Sequence, residues 1–323
     1  MKIFVAGGAG YIGSATVEYL LDHNHEVTVF DSLIKGHRKA VDKRAEFILG
    51  DLADREKVLS IFKENSFDGI IHFAAFSLVG ESMQHPGMYF ANNDAHGINL
   101  LDGAVLGKVK SFVFSSTAAT YGLPKESPIT ETAPQLPINP YGESKLFFEK
   151  MLHWYNEIHG LKYTALRYFN AAGATPTFGE DHDPESHLIP LILQVALGKR
   201  ENIKIFGNDY PTPDGTCLRD YIHITDLAQA HMLALNAPRS GHYNLGTGNG
   251  FSVKEIIEVA REVTGHPIPA IIAEQRAGDP AKLVADSTLA KKELGWKPEY
   301  EDVRKVVTSA WNWFQKHPNG YSN

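Results

Sequence analysis

The sequence predicts an α/β protein: a doubly wound parallel sheet followed by a smaller C-terminal α/β lobe. Two observations predict it. Over the first half of the chain, short apolar runs alternate with helical stretches, which is the pattern of successive βαβ units. After about residue 170, Pro176, Gly179, Pro184, Pro190, Pro211 and Pro213 cut the chain into shorter elements joined by polar loops. The expected division is 1–170 for the main sheet and 171–323 for the lobe, with Gly241–Leu245 returning to the sheet.

Buried strands are read at Lys2–Ala6, 26–30, Glu46–Leu49, 69–73 and 111–115. The helical stretches between them lie at 11–23, 54–64 and 88–106. A long helix follows Asn139 to about His159 and leads into a strand at 162–167. Further helices are expected at 252–264 and near the C-terminal end. No internal repeat or low-complexity segment interrupts this order.

The bulk numbers exclude several classes of function. A net charge of −7 and a pI of about 6.1 give no electrostatic reason to expect a nucleic-acid partner. Cys217 stands alone, which excludes an intramolecular disulfide and any multi-cysteine metal site and fits a reducing compartment. No run approaches the ~20 apolar residues of a membrane span. Gly7, Gly8 and Gly10 break up the first apolar stretch before it could act as a signal peptide. A cytoplasmic protein without a membrane partner is expected.

The first candidate site is Gly7-Gly8-Ala9-Gly10-Tyr11-Ile12-Gly13, directly after the first strand and opening the first helix. Glycines there permit a tight turn, close approach of a pyrophosphate and close helix–sheet packing. The helix N-terminus adds backbone N–H groups and a positive dipole end. Alone, such a cluster is also what any tight strand-to-helix turn needs. Asp31, at the end of the second strand, adds an acid where ribose hydroxyls would lie. Its charge repels a 2′-phosphate, so NAD is expected rather than NADP.

The second candidate is Tyr141-Gly142-Glu143-Ser144-Lys145, a phenol and an ammonium one helical turn apart. A free phenol near pKa ~10 is a poor base at neutral pH, and bringing it to neutrality takes roughly 4 kcal/mol of preferential phenolate stabilisation. Lys145 and an oxidised nicotinamide are the positive charges expected to supply it. This spacing is common on amphipathic helices. Here, however, Ser115-Ser116-Thr117 closes the preceding strand, at the edge where open α/β sheets present groups to ligands. Thr117 is expected to hydrogen-bond a substrate oxygen while Tyr141 moves its proton.

These motifs, with Ser115–Gly122 (SSTAATYG), Arg167-Tyr168-Phe169-Asn170, Ile205–Thr212 (IFGNDYPT), Asp214-Gly215-Thr216 and Arg219–His223 (RDYIH), resemble the UDP-glucose 4-epimerase family. That family belongs to the extended short-chain dehydrogenases. The likeness runs from about residue 3 to past Asp286. It implies a Rossmann sheet binding NAD, a lobe binding a UDP-hexose, and a homodimer. It places Asp51 and Leu52 near the adenine, and Phe73, Ala74 and Ala75 along the cofactor. Asn92, Tyr141, Lys145 and Tyr168 complete that set. Asn170, Leu188, Phe206, Arg219, Arg276 and Asp279 are implied to hold the UDP-sugar, with Leu283 at the hexose.

The implied reaction interconverts UDP-galactose and UDP-glucose. Hydride leaves sugar C4 for NAD, the 4-keto sugar turns over, and the hydride returns to its other face. Three positions depart from the common pattern: Ser77 where lysine is frequent, His187 where asparagine is frequent, and Leu283 where some members carry tyrosine. Other UDP-hexose 4-epimerases, acting on N-acetylated or uronic sugars, share the scaffold. Dehydratases need an acid/base pair after the strand hydroxyl, and here Ala118 and Ala119 follow Thr117. A non-catalytic NAD sensor would be expected to lose Tyr141 or Lys145. The run His182-Asp183-Pro184-Glu185-Ser186-His187 has no recognised zinc spacing, so a solvated loop is expected there and no metal.

Overall fold

The computed structural model describes residues 1–276 and 278–321. Its first elements are β1 (Lys2–Ala6), α1 (Tyr11–Asp22), β2 (Glu26–Asp31), β3 (Glu46–Leu49), α2 (Arg55–Glu64) and β4 (Gly69–His72). Then follow α3 (Val79–Gln84), α4 (Pro86–Tyr89), α5 (His96–Leu106), β5 (Ser111–Thr117), α6 (Pro140–His159) and β6 (Lys162–Tyr168). The second half contributes β7 (Asn170–Ala172), α7 (Leu188–Ala196), β8 (Ile203–Phe206), β9 (Leu218–His223), α8 (Ile224–Ala234) and β10 (Gly241–Leu245). Last come β11 (Gly250–Ser252), α9 (Val253–Thr264), β12 (Ala270–Ala273), β13 (Lys282–Leu283), α10 (Thr288–Glu293) and α11 (Val303–Lys316).

Seven strands form one parallel sheet in the order β10-β6-β5-β4-β1-β2-β3. The strand order reverses between β1 and β4, the switch point where such sheets open a crevice beyond their carboxyl ends. Gly241–Leu245 does return to the sheet, as its outermost strand beside β6.

Alternation along each strand builds two cores. Ile3, Val5, Val29, Ile71, Val113 and Leu166 face one side, packed with α1 and α8 through Val17, Leu20 and Leu227. Phe4, Ala6, Phe30, Ile70, Phe112 and Phe114 face the other, against Phe62 of α2, Leu100 of α5 and Phe148 of α6. At about 1.5–3 kcal/mol per fully buried side chain, these two layers outweigh any single capping interaction. A third core belongs to the lobe, where α7, α9 and α11 pack Ile192, Ile256, Val307 and Trp313 together. Ser252 and Glu255 start α9 with a reciprocal capping box.

The helix expected over 88–106 is interrupted. Residues Phe90–Ala95 form a wide π-type turn between α4 and α5. The extra residue in that turn brings Asn93 inward, where its amide bonds the Phe76 backbone and Ser144 Oγ. Such a turn is decided by these tertiary bonds, which helical periodicity does not report. Among the described residues no helix is long and apolar enough to cross a membrane.

Candidate active site

The parallel register aligns Ala6 with Phe30 and His72, His72 with Phe114, and Thr117 with Tyr168. The turn after each strand therefore opens at one sheet edge, which gathers Gly7, Asp31, Phe73, Thr117 and Tyr168.

Gly7 has φ +82°, and a Cβ there would lie 2.4 Å from Ala74 N. Only glycine fits that turn. A Cβ on Gly13 would lie 2.2 Å from Gly7 O, so this second glycine lets α1 pack against its own entry turn. Gly10 differs. It is the N-cap of α1, and a Cβ there meets only Gly7 O, at 3.5 Å. The turn is thus closed by backbone at Gly7 and Gly13 and open at Gly10, as a backbone cradle for a diphosphate requires. Ile12 packs into the core, and the Tyr11 hydroxyl donates to Gly173 O at 2.6 Å, tying the turn to the lobe.

Asp31 Oδ2 accepts from Ala9 N at 3.0 Å and Oδ1 from Leu33 N at 2.8 Å. Those bonds fix the carboxylate beside the glycine turn and leave lone pairs for ribose hydroxyls. Burial pushes its pKa up, with the two backbone donors opposing. Asp51 Oδ1 accepts from Ala53 N at 2.8 Å, and Leu52 is buried beside it. Phe73 N and Ala74 N both donate to Ala6 O, which holds 73–75 beside the end of β1. Asn92 donates to Asn93 Oδ1 at 2.9 Å.

Asn139 caps α6, accepting from Gly142 N at 2.8 Å, and so presents Tyr141 on the first turn. The Thr117 hydroxyl faces the Tyr141 phenol and favours its charged form, bringing the two predicted proton handlers together. Burial raises the phenol above its ordinary value and the Thr117 hydroxyl opposes that rise. Lys145 Nζ donates to Ser115 O at 2.7 Å. Burial pushes Lys145 down to about 7, with Asp94 and Glu149 resisting.

Tyr168 ends β6 with its hydroxyl on His231 Nε2. Because His231 Nδ1 faces the Leu227 carbonyl at 2.7 Å, that nitrogen carries the proton and the phenol donates to Nε2. His231 escaped the sequence reading, having no spacing that links it to Tyr168. Glu149 did too. It is buried, accepting from Ser116 Oγ and bidentately from Arg167 Nε and Nη2 at 2.5, 2.9 and 2.6 Å. The signal available was Arg167 itself, a guanidinium inside an apolar strand that demanded a buried partner.

Two residues beyond Tyr168, at Asn170, a cleft of about 710 Å³ opens in the lobe. Asn170, Leu188, Phe206, Arg219, Arg276 and Asp279 all line it. Arg276 stacks its guanidinium over Phe206 at 3.9 Å, and Arg219 pairs with Asp279. Asn170 donates to Asp220 O at 3.1 Å. Leu283 is not in this lining. It packs with Phe169 against Ala118 and Tyr121, beside Thr117.

The solvated loop expected at 182–187 is corrected. Asp183, Ser186 and His187 are exposed, but the Glu180 and Glu185 side chains turn inward, 4% and 6% exposed. Burial disfavours charge on both imidazoles, yet the carboxylates prevail and push His182 up to about 9 and His187 up to about 10.

The model of the family described as "NAD dependent epimerase/dehydratase family" matches residues 3–246. A UDP-glucose 4-epimerase of Lacticaseibacillus casei is 54% identical over all of this chain and 99% of its own. A crystal structure of a UDP-glucose 4-epimerase superposes with a TM-score of 0.97 at 53% identity, covering 100% of both chains. The Bifidobacterium longum UDP-glucose 4-epimerase, in complex with NAD+ and UDP, superposes at 0.94 and 39% identity over 99% of this chain and 100% of its own. With a family model matched over three quarters of its length and full-length relatives above half identical, the chain belongs to the NAD dependent epimerase/dehydratase family.

Proposed function

We propose that this chain is an isomerase, a UDP-glucose 4-epimerase that interconverts UDP-galactose and UDP-glucose with bound NAD. One observation carries the reading: Thr117, beside Tyr141, lies in register with Tyr168, and two residues further on Asn170 opens a cleft lined by Arg200, Arg219 and Arg276. A phenol and a hydroxyl suit an alcohol carbon, and the arginines suit a diphosphate through charge-assisted bonds.

The cradle fits NAD, being open at Gly10 and bounded by Asp31. Gly7, Gly10, Tyr11, Ile12 and Gly13 would hold its diphosphate, Asp31 a ribose, and Asp51 and Leu52 the adenine. Phe73, Ala74, Ala75 and Asn92 would flank it toward Tyr141, Lys145 and Tyr168. When bound, NAD supplies an acceptor that takes hydride from sugar C4 and gives it back. The chain's own part is the proton: Tyr141 takes it from the C4 hydroxyl and later returns it, while Thr117 holds the oxygen. Residues 1–170 thus serve mainly the cofactor, and 171–323 mainly the UDP-sugar.

Asn170, Leu188, Phe206, Arg219, Arg276 and Asp279 would anchor the UDP end, leaving the hexose toward Leu283. Firm anchoring at the nucleotide lets a loosely held 4-keto hexose turn its other face to the same groups. Phe147, Trp154 and Ile158 form an exposed apolar stripe along α6, and Ile98 and Leu106 another on α5. Those stripes suit a second copy of the chain, hence a homodimer, and the lone Cys217 suits a reducing, cytoplasmic setting. The test is incubation with UDP-galactose, and UDP-N-acetylgalactosamine in parallel. UDP-glucose should form without added reductant or net NADH; no product from either sugar would overturn the reading.

A further inference from the structure

Outside the proposed catalytic groups, four metal-ligating side chains converge among the described residues. Glu180, His182, Glu185 and His187 each offer one atom, and these four atoms lie within 4.8 Å of one another. We infer that they form a structural site for a first-row divalent cation, zinc foremost, at the junction of the glycine turn and the lobe.

The geometry is the first argument. Four nitrogen or oxygen ligands at ~2.0–2.1 Å around tetrahedral zinc stand ~3.3 Å apart. Here His187 Nδ1 is 2.8 Å from Glu180 Oε1 and 2.9 Å from Glu185 Oε1, and His182 Nδ1 is 3.1 Å from Glu180 Oε1 and 3.8 Å from Glu185 Oε2. These separations bracket the tetrahedral value. Both imidazoles turn the same nitrogen, Nδ1, toward the two carboxylates.

Charge is the second argument. Two inward-turned carboxylates call for two positive charges, since unpaired buried charge is costly. In the metal-free chain the two imidazoliums supply them, and one divalent cation on two neutral imidazoles balances the same carboxylates equally. The donor set of two nitrogens and two oxygens matches borderline cations and disfavours calcium and magnesium, which take oxygen ligands. Glu185 Oε1 also accepts from Ser186 N and His187 N at 2.7 and 2.8 Å, the supporting bonds that orient a ligand.

Location supplies the role. Tyr11, on the glycine turn, sets its ring edge-on to His182 at 6.0 Å. Asp181 between the ligands bonds His37 from the loop after β2 and Tyr321 near the C-terminus. His187 is the N-cap of α7, whose first residue, Leu188, lines the cleft. A cation at this point would pin the loop where both halves meet.

The experiment uses untagged full-length chain, stripped with EDTA, reloaded with zinc, desalted, and assayed for metal by mass spectrometry. About one zinc per chain should remain, and the melting temperature should rise by on the order of 5 °C. Cobalt in place of zinc should give the visible absorption of a four-coordinate nitrogen–oxygen site. His182→Ala and Glu180→Gln should each lose the retained metal and the melting shift. The isosteric Glu180→Gln keeps the test sound should His182→Ala fail to fold. Absence of retained zinc in the parent chain, or equal retention in both variants, would overturn the site and leave a proton-bridged cluster. None of these readings depends on sugar turnover, so failure here and failure of the epimerase reading are separable.

Discussion

At the scale of single residues, Tyr141 is the side chain on which the proposed reaction turns. Burial raises its phenol and the facing Thr117 hydroxyl opposes that rise. Tyr141→Phe removes the proton carrier and keeps the ring. Turnover should fall by ~10²–10⁴, while UDP-sugar affinity, measured by calorimetry, stays within a few-fold. Parent-level turnover in that variant would end the assignment. The pair was legible because a tyrosine and a lysine one turn apart must share a helix face. Lys145's bond to the Ser115 carbonyl was not, since it depends on how far α6 sits from β5.

At the scale of elements, the turn from β1 into α1 combines two glycines with different duties. A Cβ at Gly13 would press on the Gly7 carbonyl, backbone against backbone, and no rotamer relieves it; at Gly10 it meets nearly open space. Gly13→Ala should therefore lower both melting temperature and NAD affinity, by about 1–3 kcal/mol in stability. Gly10→Ala should weaken NAD binding while costing less than about 1 kcal/mol of stability. Equal losses of stability in the two variants would show that neither glycine is kept for a ligand. The glycine spacing was readable, but which one faces open space was not. The π-type turn at Phe90–Ala95 is a second case: helical periodicity merged it with its neighbours, and only Asn93 reaching Phe76 and Ser144 creates it.

At the scale of the whole molecule, three histidines buried in different elements make stability depend on pH. Burial pushes His72 down to about 3, and His223 and His231 down to about 4, the latter two against an opposing backbone hydrogen bond. The unfolded chain takes up protons from about pH 6.5 downward and the folded chain does not, so stability falls as pH drops below that value. Each such histidine contributes up to about 1.4 kcal/mol per pH unit. Asp94, pushed up to about 7 by burial against the opposing charge of Lys145, acts in the opposite sense for one proton. Below about pH 6.5 the net is about two protons, a steep slope against a total of roughly 5–15 kcal/mol; above it His182 and His187, pushed up to about 9 and 10, oppose the loss. Denaturant unfolding at pH 7 and pH 5 should show this loss, and His72→Leu should flatten it by one proton's worth. A slope unchanged by that variant would mean that His72 is protonated in the fold.

What the sequence determined by itself was whatever local spacing dictates: the alternating strands, the glycine turn, the phenol and ammonium on one helix, and the acid closing β2. Backbone geometry imposes these on any chain with that order of residues. Tertiary structure decided what depends on contacts between distant segments. It made β10 the outer strand beside β6, gave Tyr168 its partner His231 and paired Glu149 with Arg167. It also turned an apparently solvated histidine loop inward by adding Glu180, which the spacing of its histidines never pointed to. The reason is burial: which polar groups lose water, and so must find each other, is settled only when the two halves pack.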